Sequence, residues 1–423
     1  MNLIYGSQSP PVNSPLQIVH KGEHESCNLL GGPLVSNIDI PYRTAAIMLR
    51  LLRQRLVPNR GMATSSDIYF GTRTLNRHSF LRTDPTFIAQ ALTSPYAKLI
   101  FFDRLRPLVD VSKNKLLSLD YSTVGSQNRE IIDSWIKGNA DRDPSLLQSP
   151  SIHFLGLNTA RHSPFQYKEY KGTPYFAIEV GSHPSFQPKI NAENIKPLAT
   201  REEVNIHLDY EESSIFAQAK MYLEWITTTP YCRGCGSRTI PVNAGSELLC
   251  LSESCQRCPV RSAPVSNASF PRLDPVLITC VMNSSRDKVL LTRLPKFPKG
   301  MYTHIAGFIE PGETIEEAVS REVWEESGLT VAHVNIVRSQ PWPYPVNIMI
   351  GCVATVQDGQ MDLGHDMELE EAFWCDLSTL KRIVEEGKED DNLTVFVPGL
   401  QYGIPNDKTL ATKLFQYVVD KYS

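Results

Sequence analysis

The sequence predicts a multidomain protein of α+β and α/β type. A β-rich N-terminal domain leads into a short cysteine-rich module and then a C-terminal α/β/α domain. Three observations lead there. The chain has 423 residues, too many for one ordinary hydrophobic core. Five of its nine cysteines fall between residues 232 and 258. Short strand-like runs with polar turns precede that cluster, whereas strands interleaved with amphipathic helices follow it.

Composition narrows the function classes. Hydrophobic residues make up 41% and charged residues 21%, the balance of a globular protein. The net charge of −4 gives no global field that would draw in nucleic acid. No apolar run approaches the ~18 residues that a membrane span needs, so no membrane partner is expected.

Residues 1–66 read as a leader, disordered or targeting. Ser7–Pro15 is rich in Pro and Ser. Ala45–Ser66 carries four Arg, no acid and Leu at amphipathic spacing, which resembles a mitochondrial presequence with 44 residues ahead of it. Met48 and Met62 are alternative starts, and a helix docked on the next domain is the competing reading. Residues 67–228 form the N-terminal domain, with strands at Lys98–Phe102, Ile152–Leu157 and Tyr175–Val180 and an amphipathic helix at Ile215–Trp225.

Residues 229–262 hold Cys232 and Cys235, then Cys250 and Cys255, with Cys258 three residues on. Two cysteine pairs across a short loop resemble a zinc ribbon, in which four thiolates close a structural Zn²⁺ site. Cys232, Cys235, Cys250 and Cys255 are the expected ligands, and Cys258 could replace either member of the second pair. Clustered cysteines favour metal binding in a reducing compartment over a disulfide scaffold.

Residues 270–423 form the last domain. Strands are expected at Pro275–Met282, Lys288–Arg293, Asn347–Val356 and Glu370–Cys375. Helices are expected from Ser378 to Glu386 and over Asp407–Lys421, with Lys388–Asp391 a solvated loop. Within this domain, Gly307–Leu329 holds seven Glu in 23 positions. Pro311 and Gly312 mark a turn, and Thr314 with Glu317 makes a capping box. Ile315, Ala318, Val319 and Val323 supply a buried face, and Gly328 ends the helix. Glu322, Glu325 and Glu326 sit at i, i+3 and i+4 on one side, where like charges repel unless neutralised. Arg321 is placed to hold Glu325. A hard divalent cation would complete the neutralisation; a solvated acidic helix is the plainer alternative.

The whole pattern weighs against that alternative. Gly307, five residues, Glu313, seven residues, then Arg321-Glu322-Val323-Trp324-Glu325-Glu326-Ser327-Gly328-Leu329 resembles a complete Nudix box. That family hydrolyses diphosphates linked to a nucleoside. Ser339-Gln340-Pro341-Trp342-Pro343-Tyr344-Pro345 is stiff and extended, and it resembles the SQPWPFP motif of NudC-like NADH pyrophosphatases. The order N-terminal domain, zinc ribbon, Nudix domain agrees with that family.

The resemblance implies that Mg²⁺ or Mn²⁺ is held by Glu322, Glu325, Glu326, Glu371 and the carbonyl of Ala306. Glu325 or Glu326 would help activate water. It implies a dinucleotide pocket from Gln340, Pro341, Trp342, Pro343, Tyr344, Pro345, Val346 and Asn347, with Phe270, Ala306, Gly307, Phe308 and Ala411. Tyr344 replaces the family's Phe, and Val346-Asn347 replaces its Gln-Ser. The implied reaction is hydrolysis of NADH, and of NAD⁺, to the nicotinamide mononucleotide and AMP, together with removal of the NAD cap from RNA. A Nudix hydrolase for other substrates such as ADP-ribose is the alternative. The family is usually homodimeric. An intracellular place is expected, cytoplasmic or peroxisomal, or mitochondrial on the Arg-rich leader. The terminal Lys421-Tyr422-Ser423 does not match a Ser-Lys-Leu signal.

Overall fold

The five apolar residues of Leu99–Phe102 and Val109 cannot all point one way along extended backbone, and the N-terminal sheet uses both faces. Leu99 and Phe101 join one core with Phe154, Phe176 and Ile178. Ile100 and Phe102 join the other with Leu155, Tyr175 and Ala177. Helices Pro85–Leu92 and Ser126–Asp141 supply Phe87, Ile132 and Trp135 to the first core. Helix Tyr210–Thr228 supplies Phe216 and Leu223 to the second. A seven-stranded sheet thus lies between helices. Its central strand Lys98–Asp103 runs parallel to Thr173–Glu179, which pairs antiparallel with Ser151–Asn158.

The computed structural model describes residues 68–147, 150–160, 163–181, 183, 185–186, 193–252, 258–262 and 271–423. The expected leader, residues 1–66, lies outside the described residues, as do Cys255 and Phe270. None of the described helices is long and apolar enough to cross a membrane.

The cysteine module is not an independent bead. Its hairpin, Thr239–Val242 with Glu247–Cys250, sends Ile240, Val242 and Ala244 into the core beside Phe154. The Phe154 N–H donates to the Ala244 carbonyl at 3.1 Å. Gly245 holds φ at 77° with its α-carbon against the Ile152 carbonyl, where a Cβ would sit 2.6 Å from that oxygen.

The C-terminal domain is a three-layer sandwich. Its sheet runs Val331–Trp342, Asn347–Val356, Asp274–Met282, Lys288–Arg293, Glu371–Asp376. Asn347–Val356 and Asp274–Met282 are parallel, and the other neighbours are antiparallel. Leu277, Val281 and Leu290 face the acidic helix Ile315–Ser327 through Ala318, Val319 and Val323. Cys280, Met282 and Leu291 face helices Leu377–Glu386 and Leu410–Tyr422 through Leu380, Ile383, Leu414 and Phe415.

Three expectations shift. Helix Leu377–Glu386 starts one residue before the expected Ser378, with Asp376 at its N-cap position. Lys388–Glu389 pairs with Thr394–Phe396 as a short strand, not a solvated loop. The stiff Gln340–Trp342 stretch is the end of a 12-residue edge strand, Val331–Trp342, that was not expected. Its patchy burial hides the alternation by which strands are read.

Candidate functional site

The acidic helix begins and ends as its residue types dictate. Thr314 accepts from the Glu317 N–H while Glu317 accepts from the Thr314 N–H. Gly328 closes it at φ 69°, in the left-handed region. With the apolar side in the core, Glu322 and Glu326 turn toward the loop Ala306–Phe308. Glu322 lies so close to Gly307 that a Cβ there would be 2.1 Å from its carboxyl carbon. Only glycine leaves that room.

Arg321 organises the nearer acids. Its guanidinium donates to both oxygens of Glu313, at 2.6 and 2.9 Å, to Glu322 at 2.7 Å and to Glu325 at 3.0 Å. It also caps the Phe308 carbonyl at 2.9 Å. Arg321 holds the Glu313 carboxyl down at about 2. The expected contact of Arg321 with Glu325 is therefore one of several.

Glu326 is placed differently. It is only 4% exposed, and no ion pair among the described residues reaches it. Burial, then the charges of Glu322, Glu368 and Asp366, push its carboxyl up to about 8, against the Ala306 N–H that it accepts. Burial raises Glu322 as well, opposed by Arg321.

Asp366 and Glu368 are residues that sequence reasoning missed. Their loop is pinned to the helix by Asp362 N–H to the Ser327 carbonyl at 2.9 Å and Asp366 N–H to the Glu325 carbonyl at 3.0 Å. His365 stacks on Trp324, with ring centroids 4.6 Å apart. Glu371, the expected late acid, is engaged elsewhere. Tyr302 donates to it and Arg293 lies 3.9 Å away, opposite it in the strand register. The late acid whose charge acts on both Glu322 and Glu326 is Glu368, three residues earlier. The acid-rich run from Asp366 to Glu371 was the available signal, but it did not say which member turns inward.

The donor set suits a hard cation: all oxygen, carboxylate-rich, and only partly neutralised by Arg321.

The proline–aromatic segment packs inside its own chain. Gln340 is 2% exposed, and its amide donates to the carbonyls of Tyr69 and Lys408 at 2.8 and 2.9 Å and accepts from the Leu410 N–H at 2.8 Å. It joins both domains and has no amide hydrogen left for a ligand. Trp342 and Tyr344 meet the buried Phe70 edge-on, at 5.8 and 6.0 Å. Arg201 lies over Trp342 and Lys220 over Tyr344, each 5.6 Å from the ring centroid. These rings, expected to line the dinucleotide pocket, pack the C-terminal domain onto the N-terminal core. Pro341 crowds Gly71 and Pro343 is buried. The Val346 carbonyl accepts from Asp274, while Asn347 is buried in the strand register. Ala411 is buried, its carbonyl against His304 Nε2 at 3.0 Å. Of the expected pocket residues, Ala306, Phe308 and Pro345 are exposed, and Phe308 lies beside the carboxylates with 58% of its surface open.

The cysteine cluster needs one correction. Cys232, Cys235, Cys250 and Cys258 converge, with sulfur separations of 3.7, 3.5 and 3.8 Å. A tetrahedron with Zn–S bonds of about 2.3 Å has edges of about 3.8 Å, so the set fits Zn²⁺. Cys258, buried at the start of a short helical turn, stands where Cys255 was expected. Four thiols close the tetrahedron and leave no position for a fifth.

The chain was compared with known proteins. The NUDIX domain model matches residues 273–394. The NAD-capped RNA hydrolase NPY1 of Saccharomyces cerevisiae is 35% identical over 84% of this chain and 96% of its own length. The NAD-capped RNA hydrolase of Schizosaccharomyces pombe is 30% identical over 80% of this chain and 90% of its own. The human NAD-capped RNA hydrolase NUDT12 is 33% identical over 78% and 70%.

Proposed function

Because the chain belongs to the Nudix hydrolases, in the family of NAD-capped RNA hydrolases, we propose that it hydrolyses the diphosphate of NADH and NAD⁺. The products are the nicotinamide mononucleotide and AMP, and the same bond at an RNA 5′ end is its second substrate. The observation that carries this reading is the buried Glu326 among Glu322, Asp366 and Glu368, on a helix anchored by the Arg321 network.

Glu322, Glu326 and Glu368, with the Ala306 carbonyl, would hold Mg²⁺ or Mn²⁺. Such an ion neutralises diphosphate charge and lowers the pKa of water. Of the two candidate bases, Glu326 has the better environment. Buried beside Glu322 and Glu368, it would be held ionised by the cation, and its carboxylate would then accept a proton from water. Glu325 is tied to Arg321 and 38% exposed, which suits it to screening the helix edge. Phe308 offers an exposed ring for a base or nicotinamide to stack on. Zn²⁺ in the thiolate cluster is structural.

A homodimer accords with the family, and the Val331–Trp342 edge strand, paired on one side only among the described residues, offers backbone groups to a second copy. Sedimentation at the mass of a single chain would contradict that.

The reading is tested by product analysis with NADH, ADP-ribose and NAD-capped RNA, each with Mg²⁺ or Mn²⁺. NADH and capped RNA are cleaved at the diphosphate, with NADH preferred to ADP-ribose. Faster cleavage of ADP-ribose would overturn the substrate assignment. A second test concerns Gly307→Ala. The added Cβ displaces Glu322, and a shift of that size costs on the order of 10²-fold in turnover, with thermal unfolding little changed. Wild-type turnover would show that Glu322 is not held where the reaction needs it.

A further inference from the structure

A cavity of about 200 Å³ lies in the N-terminal domain, between residues 70–77, the Tyr210–Thr228 helix and Pro341. Its chemistry is opposite to that of the acidic site. Arg73 and Arg77 line it with the hydroxyls of Thr72, Thr74 and Ser214 and the amide of Gln218, and no carboxylate belongs to the lining. The Thr74 and Ser214 hydroxyls are 2.8 Å apart, and Gln218 is fixed by donating to the Leu155 carbonyl at 2.7 Å.

A third arginine adds to this charge. Arg82 is 5% exposed, donates to the Tyr222 hydroxyl at 3.1 Å and lies 5.2 Å over that ring. Its Nε and Nη2 have no partner among the described residues. Arg77 lies near enough to feel the Tyr222 hydroxyl and the charge of Arg82. The Tyr222 ring is clamped on the buried His153, with centroids 3.7 Å apart. Among the described residues, no carboxylate forms an ion pair with Arg73, Arg77 or Arg82. Arg82, buried without a counter-ion, raises the free energy of the folded state, and an anion drawn in by the exposed Arg73 and Arg77 beside it offsets that cost.

We propose that this cavity binds a phosphate group. Two guanidinium forks match phosphate oxygens in pairs, and the Thr74 hydroxyl, which donates to Ser214 while Ser214 donates to the Glu211 carbonyl, can turn its proton to an anion instead. The phosphate belongs either to an RNA chain, which brings a phosphodiester, or to a small molecule such as inorganic phosphate. The inference stands apart from the hydrolytic reading, because none of these side chains belongs to the acidic site.

The test titrates the full chain, without added divalent cation, by calorimetry. The probes are inorganic phosphate and a short unmodified oligoribonucleotide. The proteins are wild type, the double variant Arg73→Gln/Arg77→Gln, and Thr74→Val as a variant that keeps the charge. The double variant binds at least tenfold more weakly, Thr74→Val binds measurably more weakly, and NADH turnover with Mg²⁺ is unchanged in both. Weakening for both probes supports the site with free phosphate sufficient as ligand. Weakening for the oligoribonucleotide alone supports it with the RNA chain as the source. Wild-type affinity for both probes in the folded double variant, or no binding of either probe to wild type, overturns the proposal. Loss of NADH turnover in wild type would count against the hydrolytic reading alone.

Discussion

Glu326→Gln lowers NADH turnover by ~10²-fold or more, the range for losing a metal ligand or general-base help, and leaves a folded protein that still binds NADH. Glutamine keeps the size and the bond from the Ala306 N–H but cannot carry the charge. Stability moves the other way. The Glu326 carboxyl is raised from 4.5 to about 8 in the folded chain, so between those values the folded state holds a proton that the unfolded chain has lost. Its contribution is fully present below pH 4.5 and is lost as pH rises through about 8. Without divalent cation, wild type therefore weakens across that window, while Glu326→Gln does not share this loss. Urea unfolding at pH 5 and pH 9 reads the difference, and added Mg²⁺ restores wild type at the higher pH. Parallel pH profiles for the two proteins would contradict the burial argument.

Cys258→Ser has the second large effect. Structural zinc contributes an apparent ~10–16 kcal/mol in small zinc modules, and a closed tetrahedron tolerates no missing thiolate. The loss spreads, because Ile240, Val242 and Ala244 of the same hairpin are part of the N-terminal core. Cys258→Ser is expected to hold well below one Zn²⁺ per chain and to unfold at lower denaturant. Cys255→Ser is expected to keep its zinc and its stability. The opposite pattern in metal analysis would return Cys255 to the ligand set.

These two residues also show what the sequence made legible. Local rules carried the acidic helix, since Thr314, Glu317 and Gly328 act on their immediate neighbours and the helix has the bounds they imply. The same holds for the strands Lys288–Arg293 and Asn347–Val356, read from short runs rich in Val, Ile and Leu. Choosing among near-equivalent donors is harder, as Cys258 in the place expected of Cys255 shows. Cys255 and Cys258 differ by three residues and Glu371 and Glu368 by three, and only the path of the chain decides which side chain turns inward. The aromatic segment was ambiguous for a related reason. Trp342 and Tyr344 fit a ligand pocket or an interdomain wedge equally well by type, and their partner Phe70 lies more than 270 residues away. The cluster of Arg77, Arg82 and Tyr222 carried no sequence signal, because it forms only when residues 70–82 meet the Tyr210–Thr228 helix.

The most direct measurement is chromatography of the products after purified full-length protein is incubated with NADH and saturating Mg²⁺, wild type beside Glu326→Gln. Wild type yields reduced nicotinamide mononucleotide and AMP in equal amounts, and Glu326→Gln leaves the NADH intact over the same time. Intact NADH with wild type, or the same products at the wild-type rate from Glu326→Gln, would contradict the claim that this carboxylate site cleaves the diphosphate.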